Sequence, residues 1–478
     1  MIKFIKSLDK KLILTIFLLL VLSALISFTE ILIVNPTFNV FANNKLAVLA
    51  LFALTFLLIL TLYVYVLINH KNVKHMDKTL QLVFTTLTIT VLLSFIIKEF
   101  VNYYALPIAL CGIILVLLTD KRIAVFATVI TAQIVFVTFS ITAVYNISLA
   151  TLTDATAVVT AMASGLFIVY FIDQSYTRLR LVVTTMVTGV IMGLFAALAT
   201  TISSDTPGFA FIVTSALWTI AGNAISVTLA MVILPFIEKA FGLVSNFSLM
   251  EYCSFDNPIL KRLKEDAPGT FNHSLVVGNL AEHCALAIGK NPSLARAAAY
   301  YHDIGKLKNP EYFIENQQDG KNPHDDLIPE VSVRMITMHT EEGYKILKEN
   351  NFPKIIIDVS REHHGDSPLQ FFYFKAQSIT EGKLDSEQYR YKGPKPSSAI
   401  SAIVMIADIV EASSRTKGAM SSAEINSLVD SLIKDKINKG QFDECEITMN
   451  DLNIIKKTIV NVLPGIYHGR LSYPEKKI

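Results

Sequence analysis

No C-x-x-C pair occurs in this sequence, whose four cysteines, Cys111, Cys253, Cys284 and Cys445, share no short spacing. That speaks against a zinc ribbon or a disulfide frame, and unpaired thiols suit a reducing cytosol. Charge is also scarce: 17% of the 478 residues are Asp, Glu, Lys or Arg, against about 25% in an ordinary soluble domain. The shortage is uneven. From about residue 12 to 236 the chain is nearly all Leu, Ile, Val, Phe, Ala and Thr, whereas from about 240 onward it has the charged mixture of a globular protein. A net charge of +2 gives no reason to expect a nucleic-acid polymer as partner, because such binding draws on dense positive charge.

A helix needs about twenty apolar residues to cross the hydrocarbon of a bilayer. Eight runs qualify, near 12–34, 45–69, 79–97, 101–119, 122–146, 155–173, 180–202 and 209–236; the fourth is the weakest, being short and carrying Pro107. The first follows lysines as a signal peptide would, but it is too long and lacks a small-residue cleavage site, so it reads as an anchor. Loop charge then orients the bundle. Lys3, Lys6, Lys10 and Lys11, then Lys71, Lys74 and Lys78, then Lys121 and Arg122, then Arg178 and Arg180 fall on alternate connections. Lys and Arg accumulate in cytoplasmic loops. With eight spans, all of these and the C-terminal half lie on the cytoplasmic side of a plasma membrane. Ionisable residues within the spans, the usual mark of a transporter, are nearly lacking; Glu30 and Asp173 stand near helix ends.

The second half shows helix after helix and no alternating strand pattern. The stretch 238–274 carries apolar residues at helical spacing around Leu249, Leu260 and Leu263, with breaks at "DNP" and "APG". The fold class expected is all-α: a polytopic transmembrane bundle over 1–240, a juxtamembrane linker over 241–267, and a cytoplasmic all-helical domain over 268–478, long enough to bury a core.

Seven of the ten histidines, His273, His283, His302, His324, His339, His363 and His364, lie between 273 and 364, where an even spread would put about two. Neutral imidazole is the commonest metal ligand, and a carboxylate can bridge two ions through its two oxygens. "HD" at 302–303 offers that combination at a helix end. "HH" at 363–364 offers two imidazoles about 100° apart on a helix, able to converge on one ion. His283, in mid-helix, and His324, in the turn "NPHDD", read instead as satisfied core residues. His468 reads as solvated, and His70 and His75 as interfacial.

The order of these elements, His273 and "HD" 29 positions apart, then His339, "HH" and a late Asp408 on an apolar helix, resembles the HD-domain metal-dependent phosphohydrolases. More narrowly it resembles the membrane-anchored seven-transmembrane HD proteins, the PgpH type of bacterial cyclic-di-AMP phosphodiesterase. The stretches that carry the likeness are "LKEDAPGTFNHSLVVGNLAE", "YYHDIGKLKNPEYFIENQ", "NPHDDLIPE", "REHHGDSPLQFFYFKA", "YKGPKPSSAI" and "IVMIADIVEASSR". The resemblance implies one ion on His273, His302, Asp303 and Asp408, and a second on Asp303, His339, His363 and His364, with Asp303 bridging. Imidazole and carboxylate without thiolate suit Mn²⁺ or Fe²⁺. The reaction implied is hydrolysis of c-di-AMP to linear pApA by a hydroxide that the two ions activate. Asp303 and Lys306 would be the catalytic residues, and Lys306, Arg361 and Arg415 would hold the phosphates. The partners implied are a cyclic dinucleotide and the lipid bilayer; a homodimer is compatible with both.

Cyclic di-GMP is the rival substrate, but the Gly-Tyr-Pro signature of its HD hydrolases is missing after the paired histidines. A receptor that binds nucleotide without cleaving it is the rival of another class; degenerate domains tend to lose a ligand, and here the set is intact. Two departures from the family stand out. Only about ten residues, "NPTFNVFANN" at 35–44, join the first two spans, where members carry a large extracytoplasmic domain. In "SSAISA" at 397–402, Ala399 and Ile400 stand where relatives tend to have a charged pair.

Overall fold

In a computed structural model, residues 18–29, 45–69, 76–145, 150–172, 177–203, 208–317, 322–380, 384–417 and 420–466 are described. The chain divides into two compact units, Met1–Phe247 and Ser248–Ile478. Each is helical, and among the described residues there is no strand, only an isolated bridge between Pro368 and Arg390.

The first unit contains α1 (Leu18–Thr29), α2 (Lys45–Asn69), α3 (Met76–Phe100), α4 (Ala109–Leu118), α5 (Lys121–Tyr145), α6 (Ala150–Phe171), α7 (Arg178–Ser203) and α8 (Phe209–Phe241). Six of them, α2, α3, α5, α6, α7 and α8, are long and apolar enough to cross a membrane. Their many threonines and serines cost little there, because each hydroxyl can donate to the carbonyl one turn back. Thr86 bonds Leu82 at 2.8 Å and Thr128 bonds Ala124 at 2.7 Å. The fourth run departs from a continuous span. Pro107 has no N–H to give and turns the residue before it away from helix, so a short 3₁₀ turn, Tyr103–Ala105, precedes the ten-residue α4. Residues 109–115 of α4 are buried, so this helix sits inside the bundle, while outward side chains such as Leu194 and Leu198 on α7 are more than 60% exposed. Gly222 of α8 is needed where the 3₁₀ turn crosses: a Cβ there would lie 2.8 Å from the Ala105 carbonyl carbon. At an edge of the bundle Lys98 pairs with Asp154 at 3.3 Å. Glu30, Asp173, the connection 35–44, and His70, His75 and His468 lie outside the described residues.

The second unit begins within α9 (Asn246–Tyr252), followed by α10 (Pro258–Asp266), α11 (Pro268–Ala287), α12 (Pro292–Tyr301), α13 (Pro329–Glu349), α14 (Lys354–Glu362), α15 (Gln370–Ile379), α16 (Ala399–Lys417), α17 (Ser422–Asn438) and α18 (Met449–Ile466). Leu249, Leu260 and Leu263 of the segment before α11 are buried to 1% exposure or less, each worth about 1.5–3 kcal/mol of apolar burial. Asn257 caps α10 and Asn291 caps α12, each accepting from a backbone N–H of the first turn. The small buried face of α12, Ala297 to Ala299, lets it pack closely on α11, where Gly278 leaves room for the Tyr300 ring. α11 also packs on α16 and α18, so it runs through the middle of the unit.

Candidate metal centre

Five helices and a 3₁₀ turn bring the site together. α11 carries His273, and α12 ends at Tyr301, whose hydroxyl is anchored on the Tyr252 carbonyl at 2.7 Å, so His302 and Asp303 emerge at a fixed point. A 3₁₀ turn, Ile304–Lys308, then carries Lys306. α13 supplies His339. α14 stops at Glu362, so His363 caps the helix and His364 follows in the turn closed by Gly365 at φ +56°, not on a continuing helix as the spacing suggested. α16 supplies Asp408 from mid-helix. His273, His302, Asp303, His339, His363 and Asp408 are buried to 6% exposure or less, and His364 is partly exposed.

Asp303 divides its two oxygens between two sets of imidazoles. Oδ2 lies 3.2 Å from His302 Nε2 and 3.6 Å from His273 Nε2, while Oδ1 lies 3.3 Å from His339 Nε2 and 3.5 Å from His363 Nε2. Asp408 does likewise: Oδ1 is 3.1 Å from His273 Nε2, and Oδ2 is 3.7 Å from His364 Nδ1. The donor atoms form two groups able to hold an ion, one of His273, His302 and Asp408, the other of Asp303, His339, His363 and His364.

Four of the imidazoles are held from behind. His302 Nδ1 donates to Ala299 O and His339 Nδ1 to Ile336 O, both at 2.6 Å; His363 Nδ1 donates to Ser360 O at 3.0 Å. His273 Nδ1 donates to Glu411 Oε2 at 2.5 Å. A proton on Nδ1 leaves Nε2 of a neutral ring with a bare lone pair. The lone pairs of His339 and His363 therefore converge to within 3.2 Å of each other, an arrangement that a cation bound by both rings would relieve.

Electrostatics points the same way. Burial opposes a charge on His302, yet Asp303 and then Asp408 lift it to about 10; His273 is raised, against burial, by Asp408 and Glu411. Burial likewise opposes ionisation of Asp303, but His302 and Lys306 hold it well below the usual carboxylate range. In the other set burial drives His339 down to about 3 and holds His364 well below the ordinary value. The carboxylates thus draw positive charge into the site, and His273 Nε2, His302 Nε2 and Asp303 Oδ1 are buried without a hydrogen-bond partner, as donor atoms open to an ion. The residues fit divalent ions. Thiolates take no part, since burial pushes the Cys253 and Cys284 thiols up to about 12.

A family described as a 7TM receptor with intracellular HD hydrolase matches residues 45–245, and the HD domain matches residues 270–413, a span that holds all seven donors. The chain belongs to the seven-transmembrane HD family. Cyclic-di-AMP phosphodiesterase PgpH of Bacillus subtilis is 34% identical over 88% of this chain and 59% of its own length. The protein of the same name from Listeria monocytogenes is 38% identical over 78% of this chain and 51% of its own length. The chain therefore spans between half and three-fifths of these curated relatives. A solved structure of the L. monocytogenes PgpH HD domain in complex with cyclic-di-AMP is 47% identical over 45% of this chain and 100% of that one, with a TM-score of 0.44.

Of the other residues singled out, Lys306 reaches the centre. Its ammonium lies 2.7 Å from Asp303 Oδ2 and 2.8 Å from Glu315 Oε1, and although burial opposes its charge, those two carboxylates raise its pKa. Arg415 stands at the edge, 3.9 Å from Glu411 Oε1. Arg361 is engaged elsewhere: it bonds Glu341 at 2.7 Å, over the Tyr344 ring. His324 is buried and its Nε2 donates to Tyr312 O at 2.9 Å, whereas His283 is exposed rather than a core residue, bonding Asn279 O.

The HD unit also uses residues that the motifs did not reveal. Glu411, one turn after Asp408 on a buried face, orients His273; an acidic residue inside an apolar helix was the available signal. Glu315 holds Lys306 and accepts from Thr270 Oγ1 at 3.1 Å. Tyr391 lies on His364, ring centroids 4.2 Å apart. Glu362 accepts from Ser397 N, Ser397 Oγ and Ser401 Oγ, tying the "HH" turn to the start of α16; this is the use made of the serines in "SSAISA". Replacing Glu411 by Gln leaves His273 with a weaker partner. The expected result is a metal affinity lower by about 10–100-fold, the usual worth of such an outer contact, read by competition with a chelating dye, with the unfolding midpoint little changed.

Proposed function

We propose that this chain is a metal-dependent phosphodiesterase that hydrolyses c-di-AMP to linear pApA. The observation that carries the reading is the division of Asp303 between two sets of imidazoles, four of whose rings are fixed through Nδ1. The names of the curated relatives from B. subtilis and L. monocytogenes support the choice of substrate.

In this proposal His273, His302 and Asp408 would hold one ion and His339, His363 and His364 the other, with Asp303 contributing to both. Mn²⁺ or Fe²⁺, favoured by the nitrogen and oxygen donors, would supply Lewis acidity, acidifying water and neutralising phosphate charge. The chain's own residues do the rest. Buried imidazoles with bare Nε2 atoms hold the donors in place without reorganisation. Lys306 fixes the Asp303 carboxylate in its shared position and offsets its negative charge beside an incoming phosphate. The exposed edge of His364 marks the open side of the site. Water's oxygen adds to phosphorus and the 3′-oxygen leaves with a proton, so the phosphate stays on the 5′ carbon.

The remaining proposals concern placement: 1–240 as membrane domain, 241–267 as juxtamembrane linker, 268–478 as HD domain, with the basic loops and HD domain cytoplasmic. A fluorescent protein fused after residue 478 should fluoresce, and a periplasm-dependent phosphatase inserted within 146–154 should be active; the reverse pattern would overturn the orientation.

The test of the reaction uses the purified full chain in detergent, loaded with Mn²⁺ or Fe²⁺ without oxygen, and chromatography of c-di-AMP and c-di-GMP. Conversion to pApA, slower with the guanine dinucleotide, is the expected result. Metal binding with neither dinucleotide opened would make the HD unit a receptor.

A further inference from the structure

A second concave surface lies on the HD unit, behind the metal centre. It is a cleft of about 490 Å³, lined by one face of α13 and by the segment from Gln388 to Gly393. At 100° per residue, its α13 residues Arg334, Thr337 and Glu341 stand on the side of the helix away from His339. Arg390 and Lys392 flank Tyr391 in a stretch where Arg390 is extended, φ −141° and ψ 161°, so they face away from the ring that covers His364.

The charges in this cleft are unevenly matched. Its three carboxylates are all engaged: Glu330 accepts from the Tyr389 hydroxyl, Glu341 from Arg361 at 2.7 Å, and Glu342 pairs with Lys308 at 2.9 Å and Lys345 at 3.0 Å. Arg390 is held rigidly, its Nε on the Asp366 carbonyl at 3.0 Å and its Nη1 on Glu387 at 2.7 Å, which leaves Nη2 available. Arg334 and Lys392, both exposed at the cleft, have no partner among the described residues. Two cations without partners, a fixed guanidinium and the Thr337 hydroxyl thus line a concavity of small-molecule size, with Met338 as an apolar neighbour. Guanidinium and ammonium groups in such an array match phosphate oxygens.

We propose that this cleft binds a small phosphorylated anion, a diphosphate group either free or on a nucleoside, at a site separate from the metal centre. Such a ligand bridges α13 to the 390–392 segment, and each of these carries on its other side a residue of the centre, His339 or Tyr391. The cleft is therefore placed to report the ligand to the catalytic residues.

The test removes the metal centre as a competing phosphate site. Full-length Asp303→Ala protein in detergent, stripped with EDTA, is titrated calorimetrically with inorganic pyrophosphate and with ADP. The expected result is saturable one-site binding, weakened at least tenfold when Arg334→Gln and Lys392→Gln are added. Both side chains are exposed and unpartnered, so the unfolding midpoint should not move. Tighter binding of ADP than of pyrophosphate assigns a nucleotide, and equal binding assigns the diphosphate alone. No saturable binding of either probe, or binding unaffected by the two substitutions, overturns the proposal. Neither outcome depends on whether the chain cleaves c-di-AMP.

Discussion

Asp303→Asn protein is expected to fold, to lose at least one of its two bound metal equivalents, and to have no measurable turnover. The substitution keeps the shape of the side chain but replaces one anionic oxygen by an amide that cannot ligate. The lost oxygen faces either His302 and His273 or His339 and His363, because the carboxylate serves both. Outer contacts to metal ligands are worth about 10–100-fold, so loss of a shared donor should cost turnover ~10³-fold or more. The fold should survive because Lys306, the cation that Asp303 neutralises, keeps Glu315 at 2.8 Å. Leaving a buried cation with no partner at all would be far more damaging. Metal analysis beside chromatography of c-di-AMP separates the possibilities. Full metal content with no turnover would mean that Asp303 acts on substrate rather than as a shared ligand. Full turnover would remove the phosphodiesterase reading of this site.

The donors were legible in the sequence because each is a residue type that rarely clusters by chance, and "HD", "HH" and the acid inside an apolar helix each announce an unusual local environment. The structure brings all seven together. What surrounds them was less legible, for a geometric reason. Arg361 is two residues from His363, but two residues is about 200° of helix, which turns its guanidinium outward to Glu341. Proximity in sequence was the wrong guide there. Glu315 lies in a short 3₁₀ turn with no periodic pattern, and only the packing of that turn on the start of α11 brings it to Lys306 and Thr270. In the membrane half, six of the eight apolar runs are helices long and apolar enough to cross a membrane among the described residues, yet hydropathy carries no record of hydrogen bonding. Pro107 therefore split the fourth run into a 3₁₀ turn and a buried ten-residue helix, a distinction that composition does not make.

Gly305 presents the same limit from the side of backbone packing, and its replacement by Ala should strongly destabilise the HD unit. A Cβ at this position would overlap the His339 carbonyl and lie 2.5 Å from the Gly343 nitrogen. Neither neighbour is a side chain that can rotate aside, so the 3₁₀ turn and α13 must separate. Overpacking a well-filled interior costs about 1–3 kcal/mol even where side chains can adjust, and this contact belongs at the upper end or beyond. At about 2–4 °C per kcal/mol for a unit of this size, the unfolding midpoint should fall by roughly 6–12 °C. The chemical consequence is larger than the loss of stability. Asp303 leads into the turn and His339 sits on α13, so separating them widens the 3.3 Å gap between Asp303 Oδ1 and His339 Nε2. The ion held by His339, His363 and His364 should therefore be lost before the one held by His273, His302 and Asp408. Stepwise metal release in Gly305→Ala, at a temperature where its circular dichroism is still native, is the expected result. Simultaneous loss of both equivalents, or an unchanged midpoint, would show that the close backbone approach of this turn to α13 is not what sets the geometry of the centre.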